Sequence, residues 1–299
     1  MSSLTLKEAK ALDTEATVGP WPVDKLILSY LAATAILTVA LFSRIPQAWW
    51  LLSLKAAGVM LLVVAWRSKS MASWLFRNWY PAFYVAACYK EMNYLIPALH
   101  PGTADVALAR IDLAVFRVNP TVWIERLQTP ALTEYLQIVY SMFIPAILLV
   151  AYIFWRKRRL REFRYYGFLI SIGYLVSYVF YFLIPARGPR FLLAHLHHTQ
   201  LQGIWTFDWF RHLLDTLEGI HYDCFPSGHT EQTLLAWCMS IRLSRRFFVG
   251  FTIFTASQIF STVYLRYHYV VDLFAGALIA AVLILVAPSV YKSLKRLVI

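Results

Sequence analysis

Two histidines, three arginines and one aspartate in the C-terminal half of the chain have the types and spacing for phosphoryl chemistry. His268 and Asp272 stand four residues apart in Tyr264-Leu265-Arg266-Tyr267-His268-Tyr269-Val270-Val271-Asp272, so on a helix they share one face. A carboxylate there can accept a hydrogen bond from one ring nitrogen. That fixes the tautomer, strengthens the other nitrogen as a nucleophile and stabilises a developing imidazolium. In Cys224-Phe225-Pro226-Ser227-Gly228-His229, a Ser-Gly pair before a helix can offer a hydroxyl and backbone amides to an anion. The plainer reading of that pair is a helix cap. Pro185-Ala186-Arg187-Gly188-Pro189-Arg190 adds two guanidiniums, whose planar forks suit phosphate oxygens. The plainer reading of either one alone is a headgroup anchor, and the phosphate-holding reading is preferred. Arginines and amides can supply the charge a metal would bring, so neither a metal nor a cofactor is expected.

Such residues converge only if helices carry them to one surface. Largely apolar runs near 25–43, 49–66, 79–97, 132–155, 164–184, 229–243, 247–265 and 268–290 have about the 17–25 residues a membrane span needs. From His229 the chain runs down one span and up the next to His268, and about 26 Å each way cancels. The fifth run delivers Arg187 and Arg190 to the same surface. The expected fold is an all-α polytopic membrane bundle of about eight spans with a six-helix catalytic core. Its divisions are a polar cytoplasmic N-terminus (1–22), N-terminal membrane helices (23–97), an extracytoplasmic connection (98–131) and a catalytic core (132–299) with an outward loop (185–228).

Composition supports that class. Of 299 residues, 60% are hydrophobic and 15% charged, against roughly a quarter charged in soluble domains, and the mean hydropathy is +0.56. Eleven Trp and 18 Tyr suit two membrane interfaces. The net charge of +12 is spread between apolar runs rather than gathered on a soluble face, which argues against nucleic acid. Arg67, Lys69, Arg77, the 156–164 cluster, Arg242, Arg245, Arg246, Lys292, Lys295 and Arg296 fall on one side, with both termini cytoplasmic, under the positive-inside rule. No basic-then-apolar leader opens the chain, which argues against a cleaved signal peptide. Cys88, Cys224 and Cys238 form no disulfide framework and read as small buried hydrophobes.

Pro226-Ser227-Gly228-His229 with Arg266-Tyr267-His268-Tyr269-Val270-Val271-Asp272 resembles the second and third signatures of the type 2 phosphatidic acid phosphatase superfamily, the lipid phosphate phosphatases and phosphotransferases. The Asp112–Tyr140 stretch resembles the branch containing inositol phosphorylceramide synthases. The resemblance implies His268 as nucleophile, Asp272 as its orienting partner and His229 as the acid for the leaving oxygen. It implies Ser227, Gly228 and arginines as phosphate holders. The chain departs from the family's first signature, having Arg187-Gly188-Pro189-Arg190 without the usual Lys. Where the third signature opens Ser-Arg, Thr262 follows Ser261, so Arg266 is assigned that guanidinium's work.

His195, His197 and His198 lack a nearby carboxylate or cysteine at ligand spacing and read as solvated interfacial residues. Lys90 and Glu91 fit either a functional pair inside a span or the headgroup boundary, and Asp112 is similar. The expected activity is hydrolysis of a membrane lipid phosphate through a phosphohistidine at the extracytoplasmic face. The alternative is transfer of a phosphoryl headgroup to an alcohol co-substrate. A rival of another class, an anion or lipid transporter, would need ionisable residues near the midplanes of several helices, and the fourth, seventh and eighth runs have almost none there. The expected setting is a bacterial inner membrane or a secretory-pathway membrane, with the site facing periplasm or lumen.

Overall fold

In hydrocarbon a backbone must satisfy its polar groups internally, and a sequence of long apolar runs does so as helices. The computed structural model describes residues 19–219 and 222–296. It is built from α1 (Pro22–Ala40), α2 (Ala48–Arg67), α3 (Met71–Leu99), α4 (Asp105–Phe116), α5 (Pro130–Ser141), α6 (Phe143–Arg156), α7 (Leu160–Leu183), α8 (Phe207–Glu218), α9 (Gly228–Ser240), α10 (Arg245–Tyr264) and α11 (Val270–Arg296). No β-strand occurs among the described residues; a single bridge joins Ala186 and Asp223. Most of the N-terminal segment expected to be polar and cytoplasmic, residues 1–18, lies outside the described residues.

All eight expected runs are helical, with differences in number and extent. Five helices (α1, α2, α7, α10 and α11) are long and apolar enough to cross a membrane, and α5–α6 makes a sixth if the bent pair is one span. The bend is 48° and has a local cause. Pro145 has no N–H for the carbonyl of Ser141 and its ring crowds the preceding turn. Helix α9 has only 13 residues. Helix α3 begins at Met71, eight residues before the expected start, and runs for 29 residues through Pro81 and Pro97. The 98–131 connection contains α4, a helix whose start the sequence does not flag, since Ala104 provides no side-chain cap.

Short α9 packs against α6, α7, α10 and α11, and one apolar core runs through α1, α3, α6, α7, α9 and α11. Phe274, Leu278 and Leu285 on α11 and Ile253 on α10 point outward, as lipid-facing side chains do. The helix ends sort into two sets. At one end Lys157 Nζ donates to the carbonyl of Leu243 at 3.3 Å and Lys25 Nζ to that of Leu294 at 2.7 Å, gathering the basic links. At the other end lie the three candidate clusters. Inside the bundle, Lys55 pairs with Glu91, both buried. That settles the two readings of Lys90-Glu91 differently for each residue: Glu91 is in the interior, while Lys90 donates to the carbonyl of Leu217.

Candidate active site

Backbone hydrogen bonds join the three clusters. Cys224 N donates to the carbonyl of Ala186 at 3.0 Å, Arg190 N to that of Arg266 at 3.0 Å, and Ser227 N to that of Asp272 at 3.0 Å. Two close approaches depend on glycine. A Cβ on Gly276 would lie 2.4 Å from the Ser227 carbonyl, and one on Gly188, whose φ is +101°, would lie 2.6 Å from that of Tyr267. Such short approaches leave no room for a side chain.

His268 sits at the centre, buried at the threshold of α11. Its Nδ1 is 2.8 Å from the carbonyl oxygen of Cys224 and 3.4 Å from Asp272 Oδ2. A carbonyl only accepts, so Nδ1 carries the hydrogen and Nε2 presents a lone pair. Nε2 faces His229 Nδ1 at 3.3 Å, and that contact then requires a hydrogen on His229 Nδ1. Asp272 is fully buried. Its Oδ2 accepts from Tyr269 N at 2.8 Å and from the Cys224 thiol at 2.9 Å. Reading Cys224 as only a small hydrophobe is therefore corrected: its carbonyl and its thiol both touch the His268–Asp272 pair. Burial, reinforced by the neighbouring Asp272 carboxylate, pushes that thiol well above its ordinary pKa, so it stays protonated and donates.

Cys224 Sγ, His268 Nδ1 and Asp272 Oδ2 lie within 4.8 Å of one another and form the one group among the described residues that could hold a metal ion. An ion there would have to displace the hydrogen that Nδ1 shares with the Cys224 carbonyl.

His229 is held between rings. Tyr140 stacks on it with centroids 4.7 Å apart, and Phe143, just past the α5–α6 bend, packs at 4.4 Å. Tyr140 also lies flat on Tyr267 at 4.3 Å. These two aromatics, supplied by the bent pair, carry no sequence signal beyond their apolar periodicity.

The phosphate-holding candidates divide. Ser227 is buried and caps α9, its Oγ accepting from Thr230 N at 3.2 Å. Gly228 opens the helix with Tyr181 Oη 2.6 Å from where a Cβ would stand. Arg187 is exposed, with its guanidinium 4.3 Å from the Phe191 ring centre. Arg190 pairs with Asp215 at 2.7 Å and lies over Tyr267 at 4.9 Å. Arg266 adopts a left-handed φ of 68° and turns its guanidinium onto Glu125 at 2.9 Å and the Thr199 carbonyl at 2.7 Å. The structure thus brings His229, His268 and Asp272 into direct contact, and gives Arg266 a carboxylate partner.

Acidic residues distant in sequence fix these loops. Asp105 accepts from Arg187 N at 2.9 Å and Gly188 N at 2.7 Å. Asp112 accepts from Val270 N and Val271 N at 2.8 and 2.9 Å, satisfying orphan donors at the start of α11. Glu134 accepts from the amides of Ile204, Trp205 and Thr206 at 2.8, 3.1 and 2.7 Å. The expectation that His195, His197 and His198 are solvated fails for His197. Its side chain is 3% exposed, with Nδ1 2.7 Å from Glu125 Oε1. The carboxylate it lacked nearby comes from 72 residues earlier. Burial, and then the Arg266 charge, hold His197 below its ordinary pKa. For Glu125 burial works the other way, but hydrogen bonds from His197 and His198 and the Arg266 charge outweigh it and keep the carboxyl below its usual range.

The helical bundle thus sets buried His268 against half-buried His229 at one helix-end surface. The family model of the PAP2 superfamily matches residues 106–286, and the chain belongs to that superfamily of phosphoric ester hydrolases and transferases. The match starts in α4 and spans every candidate residue above, leaving α1–α3 outside it. None of the curated proteins and none of the solved structures compared with the chain matches it.

Proposed function

We propose that this membrane enzyme is a lipid phosphate phosphatase working through a phosphohistidine on His268, at the extracytoplasmic face, without a metal. The observation that carries the reading is the pair of contacts on His268: Nδ1 on the Cys224 carbonyl at 2.8 Å and Nε2 facing His229 Nδ1 at 3.3 Å.

A phosphate entering between the two imidazoles parts that contact. The Nε2 lone pair attacks phosphorus while the bond from phosphorus to the lipid oxygen breaks, and His229 gives its Nδ1 proton to the leaving oxygen. The imidazolium character that grows on His268 is stabilised by Asp272, which pairs with no other basic group among the described residues. Arg187, which makes no ion pair with any described residue, and Arg190 hold the phosphoryl oxygens, with the amides at the start of α9 beside them. Water then attacks the phosphohistidine, the P–N bond breaks, and His229 takes the water's proton. Phosphate leaves and both histidines return to their starting states.

One observation favours the transferase reading as a second possibility. The 197–206 stretch is tied to Glu125 and Glu134, and a loop held in that way suits an enzyme that must keep water from its intermediate. The orientation rests on the positive-inside rule applied to the basic helix ends.

The test is to trap the intermediate. Purified protein given radiolabelled lipid phosphates and quenched in base should retain label that acid releases, as a phosphoramidate does, and His268→Ala should retain none. Turnover of the lipids with no acid-labile label on the protein would overturn the mechanism.

A further inference from the structure

Helix α8 lies at the catalytic end of the bundle, where its Asp215 pairs with Arg190, and the protein covers only part of its apolar side. At 3.6 residues per turn, Phe207, Trp209, Phe210, Leu213, Leu214 and Leu217 fall on one side of it and its charged residues on the other. One edge of the apolar side is used internally. Phe207 is buried and Leu214 packs beside it, against the cluster that holds Tyr140 and Tyr267. The other edge points away from the protein, with Trp209 61% and Leu217 59% exposed.

Both ends of α8 are fixed. Glu134 on α5 accepts from Thr206 N at its start, and Lys90 on α3 donates to the Leu217 carbonyl at its end, charges whose signs suit the helix dipole. Lys90 sets the depth. Helix α3 runs beside α7 for the height of the bundle, with Asn78 bonded to Arg164 near one end of α7 and His100 to the Phe182 carbonyl near the other. From Met71, which follows the basic Arg67 and Lys69, α3 rises about 29 Å to Lys90 at 1.5 Å per residue. Hydrocarbon is about 30 Å thick, so Lys90 stands at its border on the catalytic side. Lys90 also shares an exposed stripe of α3 with Phe83 and Tyr94, at helical spacing before and after it. Exposed apolar stripes along such a bundle face lipid. Helix α5, against which α8 packs, likewise exposes Tyr135 and Ile138. Lipid-facing surfaces therefore flank the outer edge of α8.

We infer that α8 is an interfacial helix seated in the leaflet at the catalytic end, with Trp209 and Leu217 at the acyl boundary and its charged side toward headgroups and water. An indole, apolar in its body and polar at its N–H, suits that depth, and amphipathic helices settle several ångströms into it. The partner is lipid and not a second copy of the chain. Two side chains offer a few hundred Å² at most, well short of the roughly 800 Å² per partner that a stable protein interface buries. On the reading of Arg190 proposed above, a seated α8 sets that guanidinium at headgroup height through Asp215; the seating itself does not rest on that reading.

The test uses the full chain in phosphatidylcholine nanodiscs, carrying one nitroxide label at a time. Trp209→Cys, Leu217→Cys and, on the exposed polar side, Asp208→Cys are each combined with Cys238→Ala; Cys88 and Cys224 are buried and stay. Paramagnetic relaxation by oxygen, which concentrates in lipid, is compared with relaxation by a water-soluble nickel chelate. The ratio of oxygen to nickel access should be several-fold higher for the labels on Trp209→Cys and Leu217→Cys than for that on Asp208→Cys. Equal ratios would place α8 in water and overturn the inference. Low access to both reagents, with dipolar broadening that vanishes on dilution with unlabelled chain, would mean that a second copy covers the edge, again against it. A second measurement leaves the helix unlabelled. The fluorescence lost in Trp209→Phe should be smaller in nanodiscs of acyl-brominated lipid, which quenches a seated indole, than in unbrominated ones. An equal loss in both would likewise overturn the seating. No readout depends on turnover, so failure of the proposed activity would leave these outcomes unaffected.

Discussion

His229 Nδ1 lies 3.3 Å from His268 Nε2, and the far side of His268 sets the direction of that contact. With Nδ1 committed to the Cys224 carbonyl, Nε2 is the acceptor and His229 the donor, which separates nucleophile from acid. His268→Ala should then lose at least about 10⁴-fold in turnover, as removal of a nucleophile does. His229→Ala should lose about 10²–10⁴-fold with lipid phosphates. With a nitrophenyl phosphate, whose leaving group needs little protonation, most of that second loss should vanish. Steady-state assays of both variants with both substrates check this; equal losses throughout would mean the roles are not divided.

Cys224 and Asp272 support the same ring to different degrees. Asp272→Asn keeps the shape but removes the charge that offsets the imidazolium, and should cost about 10³–10⁴-fold. Cys224→Ala removes one hydrogen bond to Asp272 and leaves the backbone carbonyl in place. About 1 kcal/mol is at stake, so a fall of roughly tenfold or less is expected. Excess chelator should leave the wild-type rate intact. Loss of activity on chelation, restored by one divalent ion, would point to the Cys224–His268–Asp272 cluster as a metal site.

Gly276 tests how closely α11 must approach α9. An added Cβ would meet the carbonyl of Ser227 at 2.4 Å, and backbone cannot swing aside as a side chain can. Gly276→Ala should destabilise by about 1–3 kcal/mol and displace the cap that positions His229. Thermal unfolding together with kcat would register both effects; a variant with wild-type values would show that the contact tolerates a methyl group.

The parts of this site that were legible in the sequence are the ones whose chemistry is local. His268 and Asp272 advertise themselves by helical spacing, and Ser227-Gly228 by capping chemistry. The carbonyl of Cys224 could not be read, because a backbone atom leaves no mark in residue type. Glu125, His197 and Arg266 meet across 72 and 69 residues, so their pairing appears only once the loops fold over the site. Helix α4 was missed because its start has no side-chain cap; its carboxylates at 105 and 112 serve loops that come much later in the chain. The span count differed because length and hydropathy are weak guides where a helix is short, as α9 is, or broken, as at Met142.

That loop cluster should be sensitive to acid. His197 has a lowered pKa in the folded state, so the unfolded form binds its proton first, and stability falls as pH drops below the ordinary histidine value of about 6.5. Glu125 is also lowered. It contributes stability above the ordinary glutamate value of about 4.3, and that contribution is lost as pH falls through its folded value. Both signs agree. Hydrogen-exchange protection in the 194–206 segment, taken relative to the intrinsic base-catalysed rate at each pH, should fall between about pH 7 and 5, and Glu125→Gln should show weak protection already at neutral pH. A protection factor independent of pH across that window would show that the cluster does not hold the segment.

The choice between water and an alcohol as final acceptor turns on whether the site stays wet. Hydrolysis needs only a water aligned behind the phosphohistidine, and an open mouth supplies it. Transfer needs a positioned hydroxyl and a barrier to competing water. The segment tied by Glu134 and Glu125 provides a cover, yet Trp205 on it is 87% exposed, and the Arg187 guanidinium lies over the Phe191 ring. Hydrolysis therefore requires fewer parts and is the expected outcome: lipid phosphates incubated with inositol, glycerol or a lipid alcohol should yield free phosphate with little new lipid. Weakening the cover should matter little to a hydrolase, so Glu134→Gln, which loosens the clamp on 204–206, should leave the rate within about threefold, the size of a lost surface hydrogen bond or so. For a transferase the same change would let water in and divert product toward free phosphate. Mass spectrometry of the lipid fraction, with phosphate measured in parallel, separates the two. A new phosphodiester lipid in the wild type that gives way to phosphate in Glu134→Gln would make the enzyme a transferase and reverse the order of preference.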